Sequence, residues 1–206
     1  MGKWCGVICI LLGVLCLLGA IGFVVYNWWE ATTAENVAQD LLKDVQSIID
    51  EPQWSQTLPE KTIGFQDDTE KASVEMATVE VDGYDCIGIL SVPVLDLELP
   101  VLTQWSYAKL KKAPCHYYGS YYETDFVIAA HNYESHFGRL SQLQAGDIVI
   151  FSDVTGAAHY YEVALLETLP ATATAEMITS GFDLSLYTCS PGGASRVTAR
   201  CRAITQ

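Results

Sequence analysis

The sequence predicts a mainly β protein: a closed or nearly closed β-barrel of about eight strands with short helices, behind an N-terminal transmembrane helix and an amphipathic helix. Three observations carry that expectation. The chain opens on a long uncharged apolar run. A stretch with helical periodicity follows. From about residue 77, short apolar runs separated by turn residues replace the helical signal.

The apolar run spans residues 4–26 and contains no charge. A helix of that length reaches about 35 Å at ~1.5 Å per residue, enough for a hydrocarbon core of ~30 Å. It has no polar stripe of the kind a buried core helix shows. Trp4 at one end and Tyr26, Trp28 and Trp29 at the other suit two membrane interfaces. A cleavable signal peptide is the competing reading. Its apolar region would be shorter, and here the run continues past Gly19-Ala20 to Val25, which favours an uncleaved anchor. Lys3 precedes the run and Glu30 and Glu35 follow it. The expected topology is a single pass in the cell membrane, with the N-terminus cytoplasmic and the acidic domain extracellular. Position 6 lacks the Ser/Thr of a myristoylation site.

Residues 31–50 read as an amphipathic helix. Val37, Leu41, Val45, Ile48 and Ile49 fall near helical spacing, and Pro52 stops it. Residues 53–71 are polar, contain Pro59 and Gly64, and read as a linker. The expected organisation is an anchor at 1–29, helix and linker at 30–72, and a barrel at 73–206. Expected strands lie at 77–81, 87–92, 97–102, 126–130, 148–152, 159–168, 184–188 and 196–203, all rich in Val, Ile, Tyr and Thr. Gly146-Asp147 and Thr155-Gly156 are turn signals, and 107–112 and 141–144 read as single helical turns. So many strands with so few helices argue for closure into a barrel.

Composition narrows function. Half of the 206 residues are hydrophobic, yet the net charge is −14. The two belong to different parts of the chain: the first 26 residues carry only Lys3, leaving −15 on the rest. That excludes a basic nucleic-acid binder, so no nucleic-acid partner is expected. Cys5, Cys9 and Cys16 lie in the membrane run as small apolar filler. Cys86, Cys115, Cys189 and Cys201 show no CxxC pair and no zinc spacing, so neither a metal nor another cofactor is expected. A free thiol among them can serve as a nucleophile.

Two segments carry chemistry. In Ala129-Ala130-His131-Asn132-Tyr133 a histidine follows an apolar strand, at the expected barrel mouth. In Tyr187-Thr188-Cys189-Ser190-Pro191-Gly192-Gly193-Ala194-Ser195-Arg196 a cysteine ends a strand and an arginine opens the next. A hairpin there brings Cys189 and Arg196 together. The thiolate is a nucleophile, His131 can carry a proton to a leaving amine, and Arg196 can support an oxyanion. On spacing alone, a strand-end cysteine is more often a small hydrophobe and a lone histidine more often a solvated or core residue.

Three motifs in order resemble the sortase family. Ser185-Leu186-Tyr187-Thr188-Cys189 resembles the signature Thr-Leu-x-Thr-Cys. The strand opening at Arg196 is similar to the one bearing the family's essential arginine, and His131-Asn132-Tyr133 resembles its histidine segment. Leu99-Pro100-Val101 and Gly146-Asp147 add weaker echoes, and the likeness covers about 77–203. Ser185 stands in place of the first threonine and Ala130 where glycine is common; neither change removes a catalytic group. The resemblance implies a sortase-like barrel and a cysteine transpeptidase. Such an enzyme cuts surface proteins at a sorting signal like Leu-Pro-x-Thr-Gly and holds the new C-terminus as a thioester. It then transfers that end to an amine acceptor such as a peptidoglycan precursor. The implied catalytic residues are His131, Cys189 and Arg196, with Thr188, Ser185 and Asn132 as substrate-binding residues. Arg200 and Arg202 share the strand of Arg196 and compete for its role.

The remaining signals are weaker. His136 reads as a solvated loop or groove residue, and His116 and His159 show no partner. Tyr117, Tyr118, Tyr121 and Tyr122 suit a peptide groove or barrel packing equally. Lys109, Lys111 and Lys112 read as a helix face. Residues 169–182 are the expected specificity loop. No Asp-Pro-aromatic lid precedes the barrel and no second membrane run follows it, which weighs against the pilus-polymerising subgroup. The 31–50 helix is similar to class B, although 169–182 is short for that class.

Overall fold

A computed structural model describes residues 2–50 and 76–204. The linker expected at 53–71 lies outside the described residues. Where two helices were expected there is one: α1 runs unbroken from Gly2 to Asp50. No glycine or proline occurs between Gly22 and Pro52, so nothing breaks the hydrogen-bond ladder at the junction. Thr32 and Thr33 return their hydroxyls to the carbonyls of Trp28 and Trp29, at 3.0 and 2.8 Å, and keep the helical path. The two halves differ in what covers them. Leu15, Phe23 and Trp28 stand exposed, as do their apolar neighbours, whereas Ala34, Ala38, Leu41, Leu42 and Val45 are buried at helical spacing. Among the described residues, α1 is the one helix long and apolar enough to cross a membrane.

Among the described residues the β domain contains nine strands: β1 (Val79–Val81), β2 (Tyr84–Val92), β3 (Leu97–Leu102), β4 (Cys115–Tyr118), β5 (Phe126–Ala129), β6 (Ile148–Asp153), β7 (Ala158–Pro170), β8 (Leu184–Cys189) and β9 (Ser195–Ala203). Their order is β1-β2-β3-β4-β5-β8-β9-β7-β6, and β6 pairs back onto β2. Eight strands therefore close the ring, with β1 a short flap on β2. All pairings are antiparallel except β3–β4 and β5–β8. The eight expected strands are present. The additional one, β4, is four residues long and has one paired position with β3, Leu102 against Cys115. Its Cys-His-Tyr-Tyr content between Pro114 and Gly119 is too short to display a period.

Closure depends on Gly88. Its φ is +156°, and a Cβ there would lie 2.2 Å from the carbonyl oxygen of Ser152 on β6. A side chain at this point would push the two closing strands apart.

Two apolar layers follow from strand alternation. Phe126, Ile128, Leu184 and Leu186 point into the barrel with Leu90, Phe137 and Phe151. Val127, Ala129 and Tyr187 point outward. There they are covered by Leu41, Leu42 and Val45 of α1, by Leu110 of α2 (Tyr107–Leu110) and by Met177 of α3 (Thr174–Ile178). Each fully buried Leu, Val or Phe contributes about 1.5–3 kcal/mol relative to exposure, so the outer layer fastens α1 firmly to the wall.

Candidate active site

The site grows from the register of three strands. β5 and β8 run parallel, with Phe126 opposite Leu184 and Ala129 opposite Tyr187. The amide of Ala130 donates to the Tyr187 carbonyl at 3.1 Å, and Thr188 Oγ1 donates to the Ala130 carbonyl at 2.9 Å. His131 and Cys189 each stand two residues past the last pair of these strands, Ala129 and Tyr187. β8 and β9 form the hairpin, and its last pair is Cys189 opposite Arg196. Cys189 shares a face with Tyr187, which belongs to the outer layer. Arg196, paired with Cys189 at the end of the hairpin, shares that face.

The connecting turn is held by Ser190, whose amide donates to Ser195 O at 2.9 Å and whose Oγ receives the Ser195 amide at 3.1 Å. Gly192 and Gly193 both take positive φ, at 81° and 75°. Arg196 Nη1 donates to the carbonyls of Gly193 and Ser195 at 3.0 and 3.1 Å. The guanidinium carries five donors, so others remain to meet a ligand.

The competing arginines are otherwise engaged. Arg200 is 2% exposed. It donates to Glu167 at 2.7 Å, to Ser185 Oγ at 2.8 Å, and to the carbonyls of Glu176 and Met177 at 2.7 and 3.3 Å. Arg202 lies over the Phe182 ring at 4.2 Å and donates to Gly181 O. Of the three, Arg196 is the one beside the thiol.

The cysteines separate by burial. Cys86, Cys115 and Cys201 are fully buried, and burial pushes each thiol up to about 12. Cys189 is partly exposed. It lines a cavity of about 200 Å³ together with Asn132, Thr188, Phe137, Gly138 and Val197. A second cleft of about 170 Å³ begins at Arg196 and is walled by Trp105, Tyr107, Tyr117 and Tyr187, with Pro170, Thr174 and Met177 of the 169–182 segment.

His131 stacks on Tyr133, with ring centroids 3.9 Å apart and planes at 14°. Burial lowers its pKa below the ordinary imidazole value; Glu30 opposes that shift and Lys111 reinforces it. The loop turns back sharply at Gly138, where a Cβ would come within 2.7 Å of the carbonyl oxygens of Asn132 and Tyr133.

Asn132 and Thr188 stand at the thiol-lined cavity, but Thr188 is 3% exposed and its hydroxyl donates to Ala130. Ser185 is not brought to the cavity. It is fully buried, and its hydroxyl receives Arg200. His136 also differs from its expected solvated place. It is 0% exposed, both ring nitrogens lack a hydrogen-bond partner among the described residues, and burial pushes its pKa down to about 4. The apolar Phe137 and Leu140 beside it drive that turn inward. His116 and His159 do have partners: His116 bridges the carbonyls of Thr103 and Gly119, and His159 lies 3.3 Å from Asp153. The tyrosines divide. Tyr117 joins the cleft, whereas Tyr121 packs against Phe126 and Phe151.

The 169–182 segment is held on two sides. Asp125 Oδ1 accepts from the Ser180 amide and hydroxyl and from the Gly181 amide, at 2.7, 2.8 and 2.8 Å. Arg200 holds the carbonyls of Glu176 and Met177 from below. Neither tether has a local sequence signal, because each joins residues more than twenty positions apart.

A family model, the sortase domain, matches residues 90–204. The chain belongs to the sortase family. Solved structures agree on the fold. Sortase A from Corynebacterium diphtheriae is 20% identical with a TM-score of 0.54, over 60% of this chain and 62% of that one. A Clostridium perfringens sortase D5 transpeptidase is 16% identical with a TM-score of 0.61, over 82% of this chain and 99% of that one. Streptococcus pneumoniae sortase C is 25% identical with a TM-score of 0.52, over 59% of this chain and 70% of that one. The chain therefore spans under two thirds of the diphtheria enzyme's length. No curated protein matches it.

Proposed function

We propose that this chain is a membrane-anchored cysteine transpeptidase acting on surface proteins that carry a sorting signal of the Leu-Pro-x-Thr-Gly type. Residues 1–29 anchor it and the barrel from 73 onward performs the chemistry, outside the cell. The observation that carries this reading is the pairing of Cys189, a partly exposed thiol, with Arg196 across one hairpin, with His131 and Cys189 each two residues past the last β5–β8 pair, Ala129 and Tyr187.

The Cys189 thiolate attacks the carbonyl carbon of the scissile amide, and a C–S bond forms. Arg196 supports the resulting oxyanion. The C–N bond breaks as His131 gives its proton to the departing amine, leaving a thioester. An incoming amine, such as one on a peptidoglycan precursor, then attacks the thioester. His131 accepts its proton, the new amide forms and the thiolate leaves. Burial lowers the His131 pKa and so favours the neutral ring, with the Glu30 charge opposing that shift. Asn132 and Thr188 border the acyl group, and the 169–182 cleft reads the signal.

The test is a sorting-signal peptide incubated with and without an amine acceptor. Ligated product that disappears in Cys189→Ala supports the reading. Hydrolysis alone, unchanged by added amine, makes the chain a cysteine peptidase. No thioester with either substrate leaves a surface binding module.

A further inference from the structure

The segment between β7 and β8 supplies one wall of the cleft that begins at Arg196, through Ala171, Thr174 and Met177. The opposite wall is aromatic and braced by its own contacts: Trp105 meets Tyr117 edge-on at 6.0 Å, and Tyr117 meets Tyr187 at 5.3 Å. The segment has no such internal brace. α3 is five residues long and has no side-chain cap at its N-terminus, so it is too short to hold its shape alone. Its entry is fixed at the hairpin turn, where the Ala171 amide donates to Ala194 O at 3.3 Å. Its exit depends on two charged residues outside it. Arg200 donates to the carbonyls of Glu176 and Met177, at 2.7 and 3.3 Å, in the last turn of α3 where helix carbonyls lack partners. Asp125 Oδ1 accepts from the Ser180 amide and hydroxyl and the Gly181 amide, and the Asp125 amide donates to Phe182 O at 2.7 Å. Both anchors are themselves held. Glu167 and Ser185 engage Arg200. Behind Asp125 the loop closes tightly, for a Cβ at Gly119 would lie 2.2 Å from the Asp125 carbonyl oxygen.

We propose that Asp125 and Arg200 are specificity-determining positioning residues: together they fix the 171–183 segment, and so the width of the cleft, for an uncharged apolar side chain of the sorting signal. The proposal rests on the reading of the chain as a sorting-signal transpeptidase. Neither residue reaches the reacting atoms. Asp125 precedes β5 at the end where Phe126 pairs with Leu184, and Leu184 to Cys189 covers about 17 Å at ~3.3 Å per residue. Arg200 is 2% exposed and pairs across the hairpin with Ser185, four positions from Cys189. Among the described residues Arg196 is the one charged side chain lining the cleft, so selection along the rest of it is by shape. One methylene of misfit in an apolar pocket changes discrimination by about 10–200-fold, so a wall free to shift forfeits selectivity. A segment ordered before binding also spares the ligand the cost of ordering it.

The test uses the full chain in detergent micelles, carrying Cys189→Ala to stop chemistry. The probes are fluorescein-labelled Leu-Pro-Ala-Thr-Gly and Ala-Pro-Ala-Thr-Gly. Asp125 has a φ of 62°, so Asp125→Gly removes its side-chain bonds without backbone strain. In that variant the Kd for the leucine peptide rises about 5–20-fold and that for the alanine peptide about 2-fold or less, so discrimination shrinks. Asp125→Asn keeps a carbonyl acceptor and tolerates positive φ, and it restores most of the difference. Ser180→Ala, a milder loss of the same tether, moves the ratio in the same direction and serves where Asp125→Gly does not fold. A Kd ratio unchanged in these variants overturns the proposal, as does equal binding of the two peptides by the parent chain. No binding of either peptide by the parent chain overturns it together with the sorting-signal reading. With Cys189 restored, Asp125→Gly raises KM and leaves kcat nearly constant, the mark of lost binding rather than lost fold. Selective binding followed by hydrolysis alone sinks the transpeptidase reading and leaves the role of Asp125 and Arg200 standing.

Discussion

Thr188 donates its hydroxyl to the carbonyl of Ala130 at 2.9 Å, and this bond locks the end of β8 to the end of β5. The next residue on each strand is a reactive one, Cys189 and His131. Both partners are nearly fully buried, so the bond is not exchangeable with water. Thr188→Val keeps the shape but orphans the Ala130 carbonyl. We expect a loss of about 1–3 kcal/mol in denaturant unfolding, and a fall in kcat exceeding the change in KM.

Arg196 and Arg200 lie on one face of β9, yet their substitutions should separate cleanly. Arg196→Lys removes the planar fork at a partly exposed position. Activity should fall at least 100-fold (order of magnitude) with an unchanged melting temperature. Arg200→Met strands the Ser185 hydroxyl and two loop carbonyls and leaves Glu167 unpaired. Because Glu167 is 35% exposed, the cost should be about 2–4 kcal/mol, at the low end for a broken buried pair. Limited proteolysis should then cut within 171–183 first.

His136 makes stability pH-dependent. Its folded pKa, about 4, lies below the ordinary 6.5. The unfolded chain therefore binds more protons between those values, and stability rises with pH through that window. As pH falls from about 6.5 to 4, the neutral buried ring should cost the fold about 3 kcal/mol. His136→Phe should flatten that part of the melting-temperature profile. An equally steep profile in the variant would refute the assignment.

Thiol reactivity should single out Cys189. Iodoacetamide at pH 8 should modify it in the native barrel at least 100-fold faster (order of magnitude) than Cys86, Cys115 or Cys201, whose buried thiols are pushed up to about 12. Peptide mapping of the modified full chain measures this directly.

Much of the architecture was legible because it is written locally. Val- and Ile-rich runs mark eight strands, and an uncharged stretch marks the apolar part of α1. The Pro-Gly-Gly turn made the Cys189–Arg196 pairing readable, since a hairpin's register follows from its turn. β4 was not legible, because four residues between Pro114 and Gly119 show no period. The single continuous α1 was obscured by its change of partner, from exposed to packed, which changes the pattern without breaking the helix.

By itself, the sequence determined the kinds of groups available: one strand-end cysteine, one strand-end histidine, three arginines on one strand and an apolar leading segment. Only the tertiary structure decided their employment. Burial took Ser185 and Arg200 into a structural cluster and sealed His136 in an apolar turn. The packing of α1 on the outer wall brought Glu30 to Lys111, 81 positions away in the chain. Such choices depend on which distant surfaces exclude water from a side chain, and no local pattern encodes that.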